Sequence, residues 1–100
     1  MPSCAIFMRR IERTGAFKRD FKREMRGRHR ATPNQELADV VAVLMQDRAL
    51  AAKYRDHALT GDWREFRDCH IRPDLVLIYR KSDPDTLQLV CLGSHSELGL

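Results

Sequence analysis

Apolar positions in the first half of the chain recur at helical spacing. Phe17, Phe21 and Met25 fall at i, i+4 and i+8 with Lys18, Arg19, Lys22, Arg23 and Arg26 between them, which predicts one apolar stripe on an otherwise basic helix. Thr14-Gly15 interrupts the pattern just before it, and a Thr hydroxyl there can cap the helix. Residues 27–30 should end it. Thr32-Pro33-Asn34-Gln35 then opens a second helix: a hydroxyl at the cap, Pro at the first helical position and Gln three residues after the cap answer the free amides. Leu37, Val40, Val41, Leu44 and Met45 follow along one face. Two helices with a short connection pack as a hairpin. Ahead of both, Ile6, Phe7, Met8 and Ile11 predict a first strand within residues 5–13.

The second half changes period. Residues 49–53 are weakly helical and Thr60-Gly61-Asp62 is turn chemistry. Strands are expected over residues 63–71, 75–80 and 86–92, joined by Arg72-Pro73-Asp74 and Ser82-Asp83-Pro84-Asp85. Links that short imply an antiparallel meander. The expected fold is α+β: one domain over residues 1–100, with two N-terminal helices packed on a small antiparallel sheet of about four strands.

Charge adds a direction to this picture. The net charge of +4 divides unevenly, with 13 Lys and Arg against 7 Asp and Glu in residues 1–56, and 5 against 7 in residues 57–100. Residues 8–30 alone hold 10 basic and 3 acidic side chains, a natural contact for polyanions because neutralising phosphates releases condensed counterions. The bland reading is the solvated face of an amphipathic helix. The longest apolar run, residues 75–79, falls far short of the roughly 20 residues that span a bilayer. The first residues lack the order of a secretory signal, so the expected setting is cytoplasmic, with no membrane partner. Cys4, Cys69 and Cys91 form no CxxC, and the four histidines no HExxH; neither a metal nor another cofactor is expected.

The chemistry gathers late in the chain. His57, Arg67, Asp68, His70 and Asp74 lie within eighteen residues, and His95 follows one apolar run later. In an extended strand Phe66, Asp68 and His70 share one side while Arg67 and Cys69 take the other. Imidazole can give and take a proton near neutrality. Cleaving RNA needs a base for the 2′-hydroxyl, an acid for the leaving oxygen and cations for the charge that builds on phosphate. His57, His70, His95 and Asp74 are the candidates for proton transfer; Arg67, with Lys18, Lys22, Arg23 and Arg26 on the basic helix, is the candidate for holding RNA. Each has a plainer reading. A histidine can be an ordinary hydrogen-bonding residue, Asp68 can pair with Arg67 or cap a turn, Asp74 can serve the turn it follows, and Trp63 can anchor the fold rather than stack on a base. A binding module for RNA or the ribosome, without chemistry, therefore stands beside the enzyme.

The residues quoted so far form a longer pattern. Tyr54-x-Asp56-His57-x-Leu59-x-Gly61-x-Trp63, Arg67-Asp68-x-His70-x-x-Pro73-Asp74, Ile78-Tyr79 and Gly93-x-His95, in that order, resemble the YafQ branch of the RelE-type toxins of bacterial toxin–antitoxin pairs. The similarity runs over about residues 8–99. It implies a RelE-like fold and a ribosome-dependent endoribonuclease that cuts mRNA in the decoding site. It further implies an active site at His57, His70, Asp74 and His95, and a small cognate antitoxin as partner. Two positions depart from the family: Leu75 stands where it has Trp, and Gly99 where it has Phe. Both changes take aromatic surface from the expected edge of the site, and an inactive relative kept for antitoxin binding is a third reading.

Overall fold

The computed structural model describes residues 8–26, 33–94 and Leu98. Two helices, α1 (Gly15–Arg26) and α2 (Pro33–Met45), cover one face of a five-stranded sheet. The strands are β1 (Arg10–Arg13), β2 (His57–Ala58), β3 (Arg67–Arg72), β4 (Leu75–Asp83) and β5 (Thr86–Gly93), in spatial order β1-β5-β4-β3-β2. The expected meander is β3-β4-β5, antiparallel throughout. Two pairings depart from the expected antiparallel sheet of about four strands, one in direction and one by adding a strand. β1 runs parallel to β5, and the two-residue β2 pairs antiparallel with the start of β3. Trp63, expected at the start of a strand, sits instead in a single 3₁₀ turn, Gly61–Trp63, which Gly61 enters at φ +64°. Glycine reaches that conformation without the steric cost a side chain brings.

The core lies between helices and sheet. Phe17, Leu37, Val40, Val41 and Leu44 meet Cys69, Ile71, Leu77, Tyr79, Leu87, Leu89 and Leu92, all buried. Phe17 and Phe21 stack with ring centres 6.1 Å apart, as the α1 stripe predicts. Leu75 also belongs to this core and is 1% exposed. The departure from family aromatics at this position therefore changes what fills the interior; the side chain is not on the rim of a site. Gly99, the second departure, lies outside the described residues, as does the expected cap at Thr32.

Thr14 caps α1, its hydroxyl accepting the Phe17 amide at 3.0 Å and donating to the Val90 carbonyl at 2.6 Å. That second bond is part of a larger device. β1 pairs with β5 only as far as Leu89, leaving the rest of that edge with bare peptide groups. Asp20 accepts the Leu92 amide at 3.0 Å and Arg23 donates to the Leu92 carbonyl at 3.0 Å, so polar side chains of α1 stand in for the missing strand. Arg23 also pairs with Asp20 at 3.1 Å and Glu24 at 3.2 Å. It holds β5 while its side chain stays 47% exposed. Lys18, Lys22 and Arg26 are likewise exposed.

At its far end α2 closes with Asp47 in the left-handed region at φ 56°. The Arg48 amide reaches the Val43 carbonyl and the Asp47 amide the Leu44 carbonyl, each at 3.1 Å, which satisfies the last turn. No helix among the described residues is long and apolar enough to cross a membrane.

Candidate active site

The face of the sheet away from the helices carries the expected chemistry. Residues directly opposite across a ladder share a face, so the register reads as rows. His57 opposes Asp68, which opposes Ile78, which opposes Cys91. The next row is His70, Val76 and Gly93. His57, Asp68 and His70 are thus on one side, with His70 two residues along β3, roughly 7 Å from Asp68. Gly93 ends β5 in the row of His70, two residues before His95 in the chain. His95 itself lies outside the described residues.

His57 is held from two directions. Its Nδ1 is 2.8 Å from the carbonyl oxygen of Arg55, and its Nε2 is 3.1 Å from Oδ1 of Asp68. Both neighbours are acceptors, and the contact to the Arg55 carbonyl is the one at hydrogen-bond geometry. Asp68 is 1% exposed, and its Oδ1 has no aligned hydrogen-bond donor among the described residues. The approach of His57 is at ion-pair distance without hydrogen-bond alignment. A buried carboxylate oxygen left in that state is costly, on the order of 1–3 kcal/mol. It sets a buried carboxyl group beside an exposed imidazole.

Arg55 supplies its carbonyl from a left-handed backbone at φ 50°, at the end of the 3₁₀ turn Ala52–Tyr54. For a residue with a side chain that conformation costs on the order of 1–2 kcal/mol. The kink turns the chain into β2. Asp56 then anchors it from the helix side of the sheet, taking the Tyr79 hydroxyl at 2.6 Å and the Arg67 guanidinium at 3.2 and 3.3 Å. Burial, then the bond to Asp56, pushes the Tyr79 hydroxyl well above the ordinary phenol range. The same carboxylate raises the pKa of Arg67 further. Arg67, expected to meet phosphate, spends its charge on Asp56 on the opposite face from His57 and Asp68. Tyr54, Asp56 and Tyr79 were visible only as members of the family pattern; Asp56 carried no separate signal.

The remaining candidates take different places. Asp74 is exposed in the Pro73–Asp74 turn between β3 and β4, at the same end of β3 as His70. His70 is half-buried and lines a cleft of about 570 Å³ with Lys53, Tyr54, Arg55 and Arg72. Lys18 and Lys22 lie across the sheet, on the rim of a second groove of about 640 Å³ whose apolar wall includes Phe21, Leu37 and Val41. Among the described residues, Lys18 and Lys22 do not line the cleft of His70. Cys69 is buried, and burial raises its thiol far above the ordinary range, which keeps it neutral in the core.

Comparison with known proteins agrees with the sequence pattern. A family model described as a bacterial toxin of type II toxin–antitoxin system, YafQ, matches residues 9–99. The mRNA interferase toxin YafQ of Escherichia coli (strain K12) is 33% identical over 94 residues, covering 93% of this chain and 98% of the relative. The E. coli YafQ chain in its complex with DinJ superimposes with a TM-score of 0.77 at 33% identity, over 90% of this chain and 97% of that one. A metal-bound toxin from Helicobacter pylori gives 0.81 at 42% identity, over 91% and 99%. Here no three His, Cys, Asp or Glu side chains among the described residues are grouped to hold a metal ion.

Proposed function

The chain belongs to the YafQ family of bacterial toxins of type II toxin–antitoxin systems and is an endoribonuclease of the mRNA-interferase kind, and we propose that it cuts ribosome-bound mRNA by acid–base chemistry of its own side chains. The observation that carries this reading is the pairing of exposed His57 with buried Asp68, with His70 in the next row of the same face.

The reaction is attack of a 2′-hydroxyl on the adjacent phosphorus. A base takes the hydroxyl proton as the new P–O bond forms, the bond to the 5′-oxygen breaks, and an acid protonates that oxygen. The products are a 2′,3′-cyclic phosphate and a 5′-hydroxyl. His57, His70, Asp74 and His95 divide these transfers among them. Asp68 is the positioning residue: its buried carboxylate faces Nε2 of His57 at 3.1 Å, and the Arg55 carbonyl holds the other nitrogen. Arg55 and Lys53 border the cleft of His70 and offer the scissile strand positive charge, beside Arg72, which is paired with Glu36 of the same cleft at 2.7 Å.

The partner that restrains this activity is a small cognate antitoxin, as the DinJ–YafQ complex supplies for the E. coli relative. The groove between α1 and α2, apolar within and edged by Arg13, Lys18 and Lys22, suits an acidic amphipathic segment of that antitoxin. Ribosomes place the substrate, and so the action, in the cytoplasm.

Induction of the wild type in bacteria is expected to arrest growth, and His70→Ala or His95→Ala to relieve the arrest at equal protein level. Equal arrest by wild type and both variants would remove these side chains from the chemistry.

A further inference from the structure

The row next to His57 and Asp68 holds an aromatic and cationic cluster that the proton-transfer set does not use. Arg67 opposes Tyr79, so one step outward Phe66 faces Arg80 on the side of the sheet that bears Asp68 and His70. The Arg80 guanidinium lies over the Phe66 ring, 5.2 Å from its centre, and its Nε donates to Gln88 at 3.2 Å. Trp63 meets the same ring edge-on at 5.2 Å and 65°. The 3₁₀ turn fixes it there: the Phe66 amide binds the Trp63 carbonyl at 2.8 Å, and the Leu59 amide binds the Phe66 carbonyl at 3.0 Å.

A side chain serving only as an anchor would bury its indole. Trp63 instead remains 38% exposed, on a surface otherwise dominated by charge. Around it, Arg64 is exposed and Arg80 donates to the neutral amide of Gln88, and among the described residues neither guanidinium pairs with a carboxylate. By contrast Arg67, Arg72 and Lys81 are each paired with one.

We propose that Trp63, seated on Phe66 and flanked by Arg64 and Arg80, is a stacking subsite for one unpaired base of the mRNA beside the scissile phosphate. A purine or pyrimidine face lies on the indole, and the two arginines meet the phosphates of that nucleotide. Two features select single-stranded RNA as occupant: an exposed ring bordered by Arg64 and Arg80, which pair with no described carboxylate although Asp62 and Glu65 are exposed nearby, and continuity along β3 with Asp68 and His57. Phe66 is about 7 Å from Asp68 along the strand, close enough for one RNA strand to touch both. This rests on the reading of the chain as an mRNA endonuclease.

The test uses the purified protein and mRNA on programmed ribosomes, with the base removed in turn from each nucleotide of the presented codon. Wild-type protein is expected to lose about tenfold or more in kcat/KM at one of these positions, while Trp63→Leu is low on intact mRNA and nearly indifferent to the missing base. Trp63→Phe should restore most of the activity and the sensitivity to the base, and thermal unfolding of each variant separates folding from stacking. If base removal costs wild type and Trp63→Leu the same factor at every position, or Trp63→Leu matches wild type on intact mRNA, the subsite is overturned. Wild-type protein that leaves all ribosome-bound mRNA uncut would instead overturn the endonuclease reading on which it rests.

Discussion

Tyr79 and Asp56 meet across 2.6 Å, joining the middle of the longest strand to the residue just before His57. Asp56 thereby receives a neutral donor from the core and, on its outer side, the Arg67 guanidinium. The expected result of Tyr79→Phe is a loss of about 1 kcal/mol, a fall in Tm of several degrees, and weaker endonuclease activity through a looser His57. Asp56→Ala should cost more, about 2–3 kcal/mol, because it strands the buried hydroxyl. Because the folded pKa of Tyr79 is raised, its stabilisation is complete below the ordinary value of 10.0 and disappears as pH climbs above it. Thermal unfolding of wild type and Tyr79→Phe between pH 7 and 11 checks this, since the gap between the two should narrow only at the alkaline end.

A second pH dependence runs the other way. Asp47 binds Arg9 at 2.8 Å and Lys81 at 2.6 Å, and these bonds bring its pKa down to about 2 from 3.8. A depressed folded pKa means stability that is present above the unfolded value and is lost as pH falls from about 4 toward 2. Asp47→Asn tolerates the left-handed backbone but drops the charge. The variant should therefore melt below wild type at neutral pH, with the difference closing in that acid window and shrinking in high salt.

Thr14 links a cap to the unpaired edge of β5. Thr14→Ala should lower stability by about 1–2 kcal/mol, because both the Phe17 amide and the Val90 carbonyl lose their partner. Thr14→Ser keeps the hydroxyl and should recover most of it. Urea unfolding midpoints at constant slope give the comparison.

Much of this architecture can be read from the chain, and the unread parts share a cause. Phe17, Leu37, Val40, Val41 and Leu44 are buried because their spacing puts them on one helical face, and the β3-β4-β5 meander follows from short turns between β-rich runs. The parallel pairing of Ile11 with Leu87 joins residues far apart in the chain and leaves no local trace. β2 is two residues long, too short for any alternation to show. The site divides similarly. Alternation along β3 puts Asp68 and His70 together and Arg67 opposite, as found. What a charged side chain pairs with is decided by the tertiary fold, so the partners of Arg23 and Arg67 came only from the structure. The burial of Leu75 likewise depends on the turn before β4, and Asp68 meets His57 while Arg67 pairs with Asp56.

The most direct measurement is primer extension on mRNA translated in a purified system with the wild-type protein, His57→Ala and His70→Ala. The account predicts discrete new 5′ ends within codons for wild type, bearing 5′-hydroxyls, only in the presence of ribosomes. His57→Ala and His70→Ala should reduce those ends at least a hundredfold, in keeping with the roughly 10² to 10⁴ that general acid–base groups contribute. Undiminished cutting by both variants, or the same ends on ribosome-free mRNA, would contradict it.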